Sequence, residues 1–332
     1  MQPAHRPAAC RNLPVPERAQ AQVRLALALL WLVPALWAVN YILARKAPGV
    51  IGPHLLALGR WAIAGAVLLV LAGPELWRER RAVAQVWWQY LVLGALGMLV
   101  CGAWVYQAAR STGAMNIALI YAASPVLIGL GAAWWLGERF GVRQALGVAL
   151  ALAGVVHVVV KGQWNALADV RFVQGDLWMV AATVAWAAYA LLQKLWPSGL
   201  SATARLAVIC AGGVLLLLPF AAWEATQPGL TQWNLQALWL VLVAAVVPGL
   251  GAYWIYGWAQ RILGASRVAV ALYLSPLYGG LAAWMVLGEA PGWHHLVGAG
   301  LILPGVFLVA GPAVAPVKPA VAPVRPRLPD RS

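Results

Sequence analysis

Charge is what this chain has least of. Only 10% of its 332 residues are Asp, Glu, Lys or Arg, against about 25% in a soluble domain. The acids number nine: Glu17, Glu75, Glu79, Glu138, Asp169, Asp176, Glu224, Glu289 and Asp330. None falls in the middle of an apolar run, so no carboxylate proton relay is visible. No Asp/Glu/His cluster points to hydrolysis or to a metal site, so the chain reads as no enzyme. No Gly-rich phosphate loop is present, which excludes ATP as the energy source, and no cofactor is expected. Cysteine is nearly absent: Cys10, Cys101 and Cys210 are far apart, without disulfide or metal spacing.

Apolar residues fill the rest. The chain is 63% hydrophobic with a mean hydropathy of +0.78. Its apolar runs repeat at the length of about 20 residues that a 30 Å hydrocarbon core demands. Ten spans are predicted, at 25–44, 54–73, 88–108, 114–135, 141–160, 175–195, 203–222, 237–257, 267–287 and 293–311. The lipid bilayer is therefore the first partner. Net charge is +14, but the basic residues sit in tails and short loops rather than in a groove with interleaved aromatics. Nucleic acid is excluded on that ground. With both termini cytoplasmic, 17 Lys and Arg fall on the inner side and 5 on the outer, as the positive-inside rule requires. Residues 1–24 form a basic cytoplasmic tail and 312–332 a Pro-rich cytoplasmic tail.

A repeat organises the spans. Gly113–Glu138 returns as Gly264–Glu289, identical at 11 of 26 positions at an offset of 151. The shared positions include Ser124-Pro125 and Ser275-Pro276, and Leu-Gly-Glu at each end. The echo continues as Gly147/Gly298 and Gly154/Gly305. The chain thus divides into a first five-helix repeat (25–160), a periplasmic linker (161–174) and a second five-helix repeat (175–311). Five is odd, so the copies cross the membrane in opposite directions. The expected fold is an all-α integral membrane protein of ten transmembrane helices in two inverted repeats, a signature of alternating access.

The duplication, the Trp37-Ala-Val-Asn40 and Trp186-Ala-Ala-Tyr189 segments, Arg60 in the second span, and Ser-Pro followed by Leu-Gly-Glu in both halves resemble the EamA-type members of the drug/metabolite transporter superfamily. The resemblance covers about residues 25–311. It implies a bacterial inner-membrane carrier, commonly an exporter of amino acids, related metabolites or toxic compounds. It also implies a central cavity lined by spans 1, 3, 4, 6, 8 and 9.

Arg60 is the charge deepest in a span. It either meets a substrate carboxylate or a gate at the cavity edge, or snorkels and caps neighbouring carbonyls. Ser124 and Ser275 either offer a hydroxyl and a proline-freed carbonyl to substrate, or merely complete a kink. Pro125, Pro276 and Pro248 are the candidate hinges. Asn40, Tyr106, Asn116, Tyr121, Tyr189, Tyr256 and Tyr273 are polar groups able either to orient a zwitterion or to join helices. Trp37 and Trp186 read as an aromatic wall or as packing. The expected activity is export of a small organic solute. The rivals are import or exchange of a sugar or phosphorylated metabolite, and a non-transporting membrane scaffold. Oligomeric state is not fixed by the sequence, and a monomer is compatible with it.

Overall fold

The computed structural model describes residues 17–112, 117, 120–121, 123–138, 140–287 and 292–310. Among them every regular element is helical. α1 is Glu17–Lys46, α2 Pro53–Arg78 and α3 Arg80–Gln85. α4 (Trp87–Gly94) continues through a π-helical segment, Ala95–Val100, into α5 (Cys101–Ala108). α6 is Ser124–Leu136 and α7 Val142–Val159, followed by a 3-10 turn at Trp164–Asp169. α8 is Gln174–Leu195 and α9 Ala202–Ala225. α10 (Leu235–Ala244) continues through a second π-helical segment, Ala245–Ala252, into α11 (Tyr253–Leu263). α12 (Ala265–Ala269), a 3-10 turn at Val270–Leu274 and α13 (Ser275–Leu287) follow, and α14 is Trp293–Ala310.

Seven of these stretches are long and apolar enough to cross a membrane, and Ser124–Leu136 and Trp293–Val309 are shorter apolar helices. The expected span at 267–287 is broken at Val270–Leu274. The one at 114–135 lies partly outside the described residues. The two π segments fall in the third and eighth predicted spans, where Gly94, Gly97, Gly102 and the Pro248-Gly-Leu-Gly251 run concentrate glycine and proline. The proline in the second segment cannot supply an N–H to the ladder, and a wider turn absorbs that loss.

The surface is apolar where a soluble protein would be polar. Val70 and Leu235 are each 80% exposed. Polar groups turn inward instead, and Arg60, Asp176, Arg205, Glu224 and Gln260 are all buried. That inversion suits a lipid-facing exterior.

Helices of one half pack against their counterparts in the other, and glycine lets them do so. A Cβ on Gly147 would lie 2.7 Å from the Gly305 carbonyl, and one on Gly154 2.9 Å from that of Gly298. The four glycines that echo each other in sequence therefore meet in space, with α7 and α14 antiparallel. α2 and α9 form an equally extensive antiparallel pair. Their ends are tied crosswise by carboxylates. Glu224, at the end of α9, accepts from the His54 and Leu55 backbone N–H groups at 2.8 and 2.9 Å, and its other oxygen lies 2.7 Å from His54 Nδ1. Glu75, near the end of α2, accepts from Ser201 N and Ser201 Oγ at the start of α9, both at 2.6 Å. Glu138, just past α6, accepts from Ala265 N at 3.0 Å and Ser266 N at 3.2 Å, at the start of α12. Each carboxylate supplies acceptors to N–H groups that a helix start leaves unpaired, and its charge meets the positive end of the helix dipole.

Candidate functional site

Arg60 lies two turns into α2 and is 3% exposed. It does not snorkel. Nη1 donates to Asn40 Oδ1 of α1 and to Tyr106 OH of α5, both at 3.2 Å, and Nη2 donates to the Pro248 carbonyl at 3.0 Å. Tyr106 OH also donates to Asn40 Oδ1. One guanidinium thus joins four stretches of chain from both halves. The carbonyl it caps belongs to the π segment. Its Cζ lies 4.5 Å from the centroid of the Trp61 ring and 5.6 Å from that of Tyr253, a cation–π arrangement made stronger by exclusion of water. Among the described residues no carboxylate pairs with it, and Nε is buried without a hydrogen-bond partner.

Aromatic rings close the other side. Trp37 and Trp186 meet edge to face at 5.3 Å, and Tyr256 tilts against both at 5.4 and 5.1 Å. Tyr189 stacks on Trp186 at 5.5 Å, and Tyr253 meets Trp61 at 4.7 Å. Trp186 Nε1 and Tyr256 OH are buried without partners, and groups of this kind are satisfied only by water or a ligand. Between Arg60 and these rings lies a cavity of about 50 Å³, room for a few waters. Trp37, Asn40, Arg60, Tyr121, Trp186 and Tyr253 line it, with Cys101, Val105, Ile117 and Met179.

The structure thus brings Trp37, Asn40, Arg60, Tyr121 and Trp186 to one cavity. Tyr106 stands behind it, bound to Arg60 and Asn40. Tyr189 and Tyr256 belong to the adjoining aromatic cluster. Ser124 and Ser275 are buried at the starts of α6 and α13, outside the cavity lining, and neither hydroxyl has a partner. Tyr273 packs in a separate cluster with Val270, Leu274 and Ile302. Asn116 lies outside the described residues. Pro125 sits in the first turn of α6, where a missing N–H costs nothing. Pro276 is the second residue of α13, and Pro248 lies inside the second π segment. The Ser-Pro dipeptides therefore open α6 and α13 just after a break in helical geometry. Tyr253 is the central residue that sequence reasoning missed. Its spacing of three from Tyr256 puts both rings on one helix face, which is the signal that marks it.

A multi-pass membrane protein, helical in every regular element of its described residues, with a cavity lined by Arg60, Asn40 and aromatics between its halves, fits the class of membrane carriers. The EamA-like transporter family matches residues 24–160 and again residues 173–311, so the chain belongs to that family. An uncharacterized transporter from Archaeoglobus fulgidus is 27% identical over 284 residues, covering 84% of this chain and 95% of that one. A probable terminal-alkyne amino-acid exporter from Streptantibioticus cattleyicolor is 27% identical over 281 residues, 82% of this chain and 89% of that one. A riboflavin transporter from Rhizobium johnstonii is 27% identical over 226 residues, 65% and 68% of the two chains. A crystal structure with a TM-score of 0.65 covers 90% of this chain and 98% of its own at 22% identity, which establishes likeness of fold. The chain is a transporter in the general sense its family defines.

Proposed function

We propose that this chain is a secondary transporter of the inner membrane that exports small organic solutes: amino acids, related metabolites or toxic compounds. It acts as ten membrane helices in two inverted five-helix repeats, 25–160 and 175–311, joined by a periplasmic linker at 161–174. Both tails are cytoplasmic. Solute binds between the halves, and alternating access opens the site to one side at a time.

The observation that carries this reading is Arg60: a buried guanidinium, without a carboxylate partner among the described residues, facing a cavity walled by aromatics of both halves. An uncompensated charge in a membrane helix is costly, so it marks a site of work. It suits the carboxylate of a solute whose apolar part lies on Trp37 and Trp186. The family match in two copies supports the duplication, and the crosswise caps of Glu75 and Glu224 support its inversion. The amino-acid exporter among the relatives is in keeping with the solute class.

The test follows a panel of amino acids and small cationic toxins in the medium of cells overproducing the chain, beside cells producing Arg60→Ala. Selective release that depends on Arg60 is the expected result. Absence of release from correctly inserted protein would move the reading to uptake, exchange or a scaffold.

A further inference from the structure

Next to the aromatic cluster is a second, smaller cavity of about 10 Å³, room for about one water in this conformation. Tyr189, Gln193, Arg205, Tyr253, Trp254 and Arg261 are among its lining residues. On the proposed orientation it lies toward the cytoplasm, because Arg205 is in the first turn of α9 and Arg261 in the last turn of α11. Tyr253 lines both cavities, and Trp186 of the first stacks on Tyr189 of the second.

Arg205 is 5% exposed. Nη2 donates to the Trp196 carbonyl at 2.8 Å, while Nε is buried without a partner. Arg261 donates to the Leu200 carbonyl at 2.8 Å and the Ser201 carbonyl at 3.4 Å. Among the described residues neither forms an ion pair. Glu75 makes two hydrogen bonds to Ser201 and lies near enough for its charge to act on Arg261. Arg205 is thus restrained by a carbonyl, and Arg261 by two carbonyls and by the more distant charge of Glu75. Positive-inside topology accounts for arginines at a cytoplasmic rim. It does not account for burying one of them beside Tyr189 and Gln193.

We propose that this pocket is a cytoplasm-side docking subsite for an organic carboxylate, the anionic end of the transported solute, which Arg205 and Arg261 receive before it passes Tyr253 to the Arg60 cavity. This rests on the transporter reading and narrows it: the solute carries a carboxylate and enters from the cytoplasm. Arg205 lines the pocket with Nη2 committed to a carbonyl and Nε without a partner, and a guanidinium with donors to spare suits an oxyanion. Two guanidiniums partly committed to carbonyls suit a monoanion better than a phosphate dianion. Gln193 and the Tyr189 hydroxyl lie within the same lining.

The test uses the purified full chain in lipid-free detergent, titrated with 3-phenylpropionate and with its uncharged counterpart 3-phenylpropanamide, with thermal stabilisation as the readout. The acid binds roughly tenfold to a hundredfold more tightly than the amide, the scale of one charge-assisted hydrogen bond. This preference persists in Arg60→Ala, is reduced in Arg205→Gln and is lost when both are replaced. Should Arg205→Gln not survive purification, Arg261→Gln replaces it and reduces the preference. A wild-type chain that does not distinguish acid from amide overturns the proposal. So does a preference lost in Arg60→Ala and kept in Arg205→Gln. Stabilisation by phosphatidylglycerol but not by 3-phenylpropionate assigns the pocket to a lipid headgroup and overturns it equally. Liposome flux separates the two readings. Arg205-dependent binding without flux keeps the subsite and removes the transporter reading. Flux of acid and amide alike, unchanged by Arg205→Gln, does the reverse.

Discussion

Arg60 spends three hydrogen bonds on Asn40, Tyr106 and Pro248 and still presents its face to two rings. Lysine has the charge but not the planar fork, and it cannot reach three acceptors in fixed directions. Arg60→Ala is therefore expected to lower solute release by tenfold or more, on the order of the 1.5–3 kcal/mol of a charged hydrogen bond. Arg60→Lys should recover only part of it. Release per membrane-inserted molecule, normalised by immunoblot, is the measurement, and full recovery by lysine would reduce Arg60 to a point charge. Trp186 poses a different question, because its ring packs against four aromatics while Nε1 has no partner. Trp186→Phe keeps most of the packing and removes the donor. We expect altered solute preference with a loss of stability smaller than the roughly 3–5 kcal/mol of truncating such a ring to alanine. A collapse in stability with preference intact would make Trp186 a packing residue.

Seven helices were legible as elements because bilayer thickness sets a minimum length that their apolar runs meet. Their internal breaks were partly legible. Gly94, Gly97 and Pro248 mark the third and eighth spans as irregular, and both contain π segments. Ser-Pro marks a local break: Pro125 stands in the first turn of α6, and a 3-10 turn at Val270–Leu274 runs directly into α13 at Ser275. Periodicity cannot distinguish a bent helix from a restarted one. The crosswise caps were invisible for a simpler reason. Glu75 and Ser201 are 126 residues apart, and nothing local in either names the other. Arg205 lies near a helix end, a position that is local, whereas its burial (5% exposed) is set by distant parts of the chain, with which it shares a pocket lined also by Tyr189 of α8 and Arg261 of α11. Gly94 provides the test at this scale. A Cβ there would stand 2.4 Å from Gly213 N and 2.9 Å from the Ile209 carbonyl, both backbone atoms that cannot turn aside. Gly94→Ala should destabilise by about 1–3 kcal/mol, the range for overpacking, visible as a lower midpoint of thermal aggregation in detergent. An unchanged midpoint would mean that α4 and α9 are free to separate there.

The two ends of the molecule are closed by related devices. On the proposed orientation, Glu224 ties α9 to the start of α2 at the outer face. Glu75 and Glu138 tie α2 to α9 and α6 to α12 at the inner face. Opening to one side must break the bonds of that side, so the carboxylates weight the balance between outward-open and inward-open forms. Removing one charge leaves its partner N–H groups less well satisfied, at about 1–3 kcal/mol, or roughly fivefold to a hundredfold in a two-state equilibrium. Cys101 lines the cavity and Cys210 is buried, so the chain carries its own reporter once Cys10 is replaced by serine. Glu224→Gln should speed labelling of Cys101 by a membrane-impermeant maleimide added outside intact cells, and slow it in inside-out vesicles. Glu75→Gln should do the opposite. Opposite signs from two residues that occupy equivalent places in the two halves are what an inverted duplication demands, since its axis exchanges the faces of the membrane. Equal effects on both sides would mean that the caps merely hold the bundle together. In that case the energy separating the two open forms would have to reside in the aromatic cluster around Trp186 and Tyr253, which both cavities share.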